Sequence, residues 1–299
     1  MVLRYLGNGP YCAANSLSVI FGAAGPGPAV LEVLSGTPFG IAVHGDGLTY
    51  FSPQRWDPEF GIKNSMSLLG WECDRVFGDP DRSVAILRQA TPDKPVLVGQ
   101  VEMGLLPYVP GIGQAIGADH NLVVIGVEGD LVRAHDVQGW PFVTVPIDKL
   151  LETWKGDTFA FSVEPYALRH NFRRTRDVDT HTALRNSIRT AVDLLDGPEC
   201  AEAAERSAKI VENGLTNMQW KYLVEFTVQG GARRLADAAV LYAEIGATKA
   251  AATLERQARL VGSLQLPLVT QDNAEAARIL RELAPTYATL REQLVRELP

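Results

Sequence analysis

Cysteine is scarce: Cys12, Cys73 and Cys200 are the three in a chain of 299 residues. An odd, sparse set excludes a disulfide framework, and no C-x-x-C pair offers zinc or dithiol chemistry. That scarcity points to a reducing, cytoplasmic compartment. Long hydrophobic runs are missing too: nothing approaches the roughly 18 consecutive apolar residues of a membrane span. The opening segment lacks the continuous apolar stretch of a secretory leader, since Arg4 is soon followed by Gly7, Asn8, Gly9 and Pro10. Nor does Asn8-Gly9-Pro10-Tyr11 before Cys12 look like a lipoprotein cleavage site. Positive charge is in deficit, with 28 Lys and Arg against 35 Asp and Glu, which argues against a nucleic-acid partner. No low-complexity tract or repeat of fixed period stands out.

What is present is an ordinary globular composition, 46% hydrophobic and 21% charged, with enough apolar material for a full core. The charge is uneven. Residues 1–165 carry 10 Lys and Arg against 18 Asp and Glu, and residues 166–299 carry 18 against 17. The texture changes at the same place. The first part alternates short apolar runs with Gly and Pro punctuation. Cys12 to Phe21 has helical spacing and stops at Gly22 and the Gly-Pro-Gly-Pro break after it. Short helices are expected at 29–34, at 65–69 behind an Asn64 cap, and at 81–90.

Strands are expected at 95–101, 121–127, 131–137, 141–147 and 158–163, the second and third joined as a hairpin by Glu128-Gly129-Asp130. Cys73 also falls in a strand-like stretch. From Asp177 onward the strand signal disappears, and Gly and Pro breaks separate six helices. Helices followed by an antiparallel sheet give an α+β class for the first part. The expected domains are 1–168, catalytic, and 177–299, all-α, with a linker around 166–176.

Cys12 sits behind a Gly-Asn-Gly-Pro turn at the start of an apolar helix. A thiol there faces the positive end of the helix dipole, which favours the thiolate. The turn lets backbone approach a substrate closely, and first-turn N–H groups can hold an oxyanion. The plain alternative is a small buried apolar residue, because free cysteine is among the most buried types. Cys73 and Cys200 read that way.

His120 opens one strand and Asp136 lies near the end of the next, so a tight hairpin sets them side by side. A Cys–His pair with a carboxylate behind the imidazole activates a thiol and then protonates a leaving group. His135 is a rival base, but adjacent strand residues point to opposite faces, and His120 fits Asp136 better.

Helical Cys early, strand His late and an acid on the following strand is the chain order of papain-like enzymes. The chain resembles the acyltransferase family of butirosin biosynthesis. The residues that carry this resemblance are Tyr11-Cys12 with Ser16-Leu17, the Gly-rich stretch FGIAVHGDGLTYF at 39–51, Pro95-Val-Leu-Val, Leu105-Leu-Pro-Tyr108, His120-Asn-Leu-Val-Val-Ile-Gly and Asp136. It covers about residues 8–165, with a weaker helical likeness past 180. The resemblance implies a papain-like cysteine protease fold, helices packed on an antiparallel sheet, followed by an all-α domain. It also implies natural-product biosynthesis, with an acyl group moving from an acyl carrier protein, on its phosphopantetheine-linked or CoA-type thioester, to a small-molecule amine through Cys12, His120 and Asp136.

One departure concerns the oxyanion hole. Papain-like enzymes place a Gln a few residues before the Cys, whereas position 6 here is Leu6; Asn8 is the nearby side-chain amide and is expected as the donor. The long segment 102–119 reads as a lid or binding loop, with Leu105, Leu106 and Tyr108 lining an acyl pocket and His44 bordering the site. The basic run Arg169, His170, Arg173, Arg174 and Arg176 suits an acidic carrier or a phosphate arm, or is a solvated face.

The same triad serves a peptidase, amidase or thioesterase, or a chain-releasing cyclase, and a non-catalytic binding module is the remaining alternative. No metal or redox cofactor is implied. Apolar helices in the second half suit a homodimer.

Overall fold

The computed structural model describes residues 11–45, 47–111, 113–159 and 162–298. Helix α1 (Cys12–Phe21) runs into a 3-10 turn and is followed by α2 (Pro28–Leu34), whose leading proline suits a first helical turn. Strands β1 (Ala42–His44) and β2 (Leu48–Tyr50) pair antiparallel. Then come α3 (Pro58–Leu69), β3 (Trp71–Val76) and α4 (Pro80–Leu87), the last capped by Asp79, whose carboxylate accepts from the Arg82 N–H. Strands β4 (Val96–Glu102), β5 (Asp119–Glu128), β6 (Leu131–Asp136) and β7 (Trp140–Pro146) lead to α5 (Ile147–Thr153) and β8 (Leu168–Arg174). The rest is helical: α6 (Thr180–Leu194), α7 (Glu199–Glu212), α8 (Asn217–Tyr222), a π-helical turn over Leu223–Thr227, α9 (Val228–Glu244), α10 (Thr248–Ser263), α11 (Gln265–Val269) and α12 (Asn273–Val295).

By packing, the chain forms two compact units, each assembled from separate stretches of sequence. One holds Cys12–Pro28 and Gly70–Asp177; the other holds Tyr11, Ala29–Leu69 and the residues from Val178 onward.

The first unit is built on a six-stranded antiparallel sheet in the order β3-β8-β4-β5-β6-β7. β4 reads VLVGQVE and is buried along almost its whole length, as a central strand covered on both faces must be. Val98, Leu122, Val124, Ala134, Val145 and Trp154 anchor the core. The β5–β6 hairpin turns at Gly129, whose φ of +59° suits a residue without a Cβ. Its register sets Leu122 opposite Asp136 and Val123 opposite His135. Helix α1 packs against β5, and at its far end Phe21 stacks on Trp71 with ring centroids 4.2 Å apart.

Three local expectations change. The basic stretch expected as a linker forms β8, because β3 supplies matching acids: Glu72 lies opposite Arg173, and Arg173 Nη1 reaches Asp74 Oδ1 at 3.0 Å. No strand forms at 158–163 among the described residues; there Thr158 donates its hydroxyl to Glu102 at 2.8 Å. Asn64 does not cap a helix but lies inside α3, donating to the Leu34 carbonyl at 2.6 Å, while Asp57 accepts the Phe60 N–H at 2.7 Å at the helix start.

The second unit packs α7 along α12 and α9 along α10 around Leu184, Ile188, Tyr242, Leu254, Leu283 and Leu290. Its buried charges are paired. Arg234 Nε meets Glu32 Oε1 at 2.6 Å, and Asp237 Oδ2 accepts from Arg233 Nε at 2.8 Å and from the Tyr11 hydroxyl at 3.1 Å. Removing one member of such a pair leaves an uncompensated buried charge. The class is therefore mixed α and β, an antiparallel sheet with a helical C-terminal part. Among the described residues, no single helix is long and apolar enough to cross a membrane.

Candidate functional site

Cys12 is the first residue of α1, half-buried and unbridged. His120 and Asp136, from adjacent strands, are both buried, and Nε2 of His120 lies 2.8 Å from Asp136 Oδ1. Since an ionised carboxylate is acceptor-only, Nε2 carries the proton. Nδ1 is buried and has no hydrogen-bond partner at ordinary length among the described residues, and Cys12 is within electrostatic reach of the ring. Burial by itself disfavours the imidazolium. The Asp136 hydrogen bond and the Cys12 thiol outweigh it, so His120 is pushed up to about 10. The imidazole thus lies between the Cys12 thiol and the Asp136 carboxylate.

Asp136 is itself held on three sides. Besides His120, it accepts from the Gln138 N–H at Oδ1 (2.9 Å) and from the Tyr108 hydroxyl at Oδ2 (2.8 Å). Burial pushes its carboxyl up, but His120 and these donors more than offset that and hold it below the usual carboxylate range. Burial and the Asp136 charge push the Tyr108 phenol well up, so it stays a donor at any ordinary pH. His135 faces elsewhere: its Nδ1 accepts the Phe142 N–H at 3.3 Å, and its ring packs edge-on to Phe142.

The structure thus brings Cys12, His120 and Asp136 into one unit. Tyr108, expected as a pocket wall, is half-buried and fixes the carboxylate through its hydroxyl. Leu106, expected beside it, is 1% exposed and belongs to the apolar core of the sheet unit. Leu105 is half-buried at the end of a 3-10 turn over Met103–Leu105. Asn8 lies outside the described residues. His44 belongs to the other unit, where it is half-buried, 3.4 Å from Gln54 Nε2 and edge-on to Tyr50; burial and the nearby Arg206 charge lower it. Cys200 is buried in α7, and burial pushes its thiol up. Cys73 is half-buried on β3. Among the described residues, no cluster of three His, Cys, Asp or Glu side chains is placed to hold a metal ion.

Two residues with clear roles here were not singled out from sequence. Glu102, 1% exposed at the end of β4, accepts from the N–H groups of Gly104 (3.0 Å), Ile116 (3.1 Å) and Gly117 (3.0 Å) as well as from Thr158. It pins both ends of the loop that carries Tyr108 and delivers the chain into β5. Asn121 is 1% exposed, and its side-chain amide donates to Cys12 Sγ at 3.4 Å. A signal for Asn121 existed in Gly99. A glycine inside a strand of bulky residues marks a bulge or a close approach. Here the β4–β5 register slips between Gly99 and Val101, and a Cβ on Gly99 would come 2.2 Å from Asn121 Oδ1.

Comparison with known proteins adds two findings. The chain is 28% identical over 164 residues to the uncharacterized protein YobF of Bacillus subtilis (strain 168), an alignment covering 54% of this chain and 53% of that one. The chain thus spans about half the length of the curated relative it matches. Residues 197–295, the helical stretch from the start of α7 to the end of α12, match the family described as the YobF C-terminal domain.

Proposed function

We propose that this chain is a papain-like thiol enzyme that takes an acyl group onto Cys12 and passes it to an amine. The single observation that carries the reading is the buried His120: Nε2 is committed to Asp136, and Nδ1 is left without a hydrogen-bond partner among the described residues in a ring that also senses the Cys12 thiol. A structural histidine has both nitrogens satisfied. A base that must exchange a proton with a thiol keeps one nitrogen for it. The papain-like fold is part of the proposal, supported by a thiol at the start of a helix packed on the strand that supplies the imidazole.

In the first half-reaction, Cys12 Sγ attacks the thioester carbonyl. An S–C bond forms, the carbonyl pair moves to oxygen, and on collapse the donor thiolate leaves, taking the proton from His120. In the second, the acceptor amine attacks the acyl-enzyme, gives its proton to His120, and Cys12 departs as thiolate. Asp136 keeps the imidazole oriented and stabilises its charged form throughout. As in the butirosin acyltransferase resemblance, the donor is a carrier-protein or CoA-type thioester.

Intact-mass spectrometry after mixing with acyl-thioesters tests this. The expected result is an acyl adduct on the wild type, absent from Cys12→Ala and discharged faster by primary amines than by water. Discharge by water at the same rate with and without amines would make the chain a hydrolase. No adduct across chemically varied donors, with Cys12 also inert to iodoacetamide, would overturn the thiol reading.

A further inference from the structure

We propose that the side-chain amide of Asn121 is the oxyanion donor of this centre, the role that sequence alone assigns to Asn8. The inference rests on Cys12 being an acylated thiol and goes beyond it by naming the group that binds the developing charge.

Asn121 follows His120 directly in β5, so one strand delivers both groups to the thiol. Its Nδ2 donates to Cys12 Sγ at 3.4 Å, and the residue is 1% exposed. The fold reserves space for the amide: Gly99, on the neighbouring strand with φ +157°, is the residue whose added Cβ would collide with Asn121 Oδ1. An apolar side chain would fill that space as well. What the amide adds is an N–H aimed at the reacting sulfur from a water-poor site, where a fixed dipole acts most strongly.

When Sγ bonds to an acyl carbon, the carbonyl π pair moves onto an oxygen only two bonds from that sulfur. The oxyanion therefore forms beside a donor already directed at Sγ. On collapse, the pair returns to the carbonyl and the leaving group departs with its bonding pair. The N–H groups in the first turn of α1 have no intrahelical acceptors and supply the remaining donors. His120 is not available for this task, because it is held by Asp136 and carries the proton.

Two reagents separate the roles of Asn121. p-Nitrophenyl acetate acylates a thiol through an oxyanion and releases p-nitrophenolate. Iodoacetamide alkylates the same thiol by displacing iodide, with no oxyanion. Both are applied to the full-length wild type, Asn121→Ala and the near-isosteric Asn121→Asp, with circular dichroism and thermal melting reporting the fold. The expected result is an acylation rate lowered about 10²–10³-fold in both variants, with alkylation changed less than about tenfold. Equal losses in both reactions would assign the amide to holding the thiol alone and overturn the proposal, as would acylation at the wild-type rate. If Asn121→Ala fails to fold, Asn121→Asp decides. A wild type whose Cys12 takes up neither reagent would instead overturn the thiol-acylation reading, and this assignment with it.

Discussion

The Tyr108 hydroxyl donates to Asp136 Oδ2 at 2.8 Å, so the carboxylate that orients the imidazole is itself fixed from the loop preceding β5. Tyr108→Phe deletes that donor and keeps the ring edge-on to Trp140. Asp136 retains His120 and the Gln138 N–H, so a loss of about 1 kcal/mol of stability is expected. Cys12 acylation should slow by roughly tenfold or less, since 1.4 kcal/mol is a factor of ten. Urea denaturation and single-turnover acylation measure the two. A thousandfold loss of rate would place Tyr108 against the substrate itself.

Asp136→Asn keeps the shape of the side chain but removes its charge. The imidazolium then loses its counter-ion and His120 its enforced tautomer. The expected cost is on the order of 10³–10⁴ in the acylation rate with the fold retained, as for an amide in place of a triad carboxylate. Burst kinetics alongside near-UV circular dichroism check this. A variant within tenfold of wild type would remove Asp136 from the mechanism.

The His120–Asp136 pair should also leave a mark on stability against pH. His120 is raised to about 10, so its contribution is complete below roughly pH 6.5 and is lost as pH climbs through about 10. Asp136 is held low, so its contribution is complete above roughly pH 4 and is lost as pH falls further. Thermal melts of wild type and His120→Asn between pH 6 and 10 should therefore converge as pH rises. Parallel curves would show that this imidazole does not titrate as described.

Glu102 is a buried carboxylate whose acceptor capacity is spent on three backbone N–H groups and one hydroxyl. Glu102→Ala leaves those donors without their partner, at an expected cost of about 2–3 kcal/mol. Limited proteolysis should show new cleavage between residues 103 and 118 in this variant. An unchanged digestion pattern would mean the loop is fixed by other contacts.

The His120–Asp136 hairpin is legible in the sequence because alternation and the Glu-Gly-Asp turn together fix its register. Asn121 is harder to read, since alternation sends neighbours on a strand to opposite faces, and Gly99 marks a close approach without saying which residue makes it. β8 is concealed by its charge. Arg173 reads as solvated until Glu72 and Asp74 are known to lie across the ladder. The change of texture near residue 177 is plain in composition, and the packing of units also changes there. The allegiance of residues 29–69 is hidden, because an amphipathic pattern shows that a face is buried and not which core it joins.

That allegiance has a consequence during synthesis. Residues 29–69 leave the ribosome well before their helical partners, which begin at Val178 and end with α12. At about 5–20 residues per second, this early segment waits roughly 10–50 s for the rest of its core. Throughout that time Leu31, Val33, Leu34, Phe39 and Ile41, all fully buried at the end, are open to water and to other chains. The nascent chain must therefore carry an unfinished apolar surface through most of its translation, and arrested chains shorter than about 270 residues should be bound by chaperones in a way that the completed protein is not.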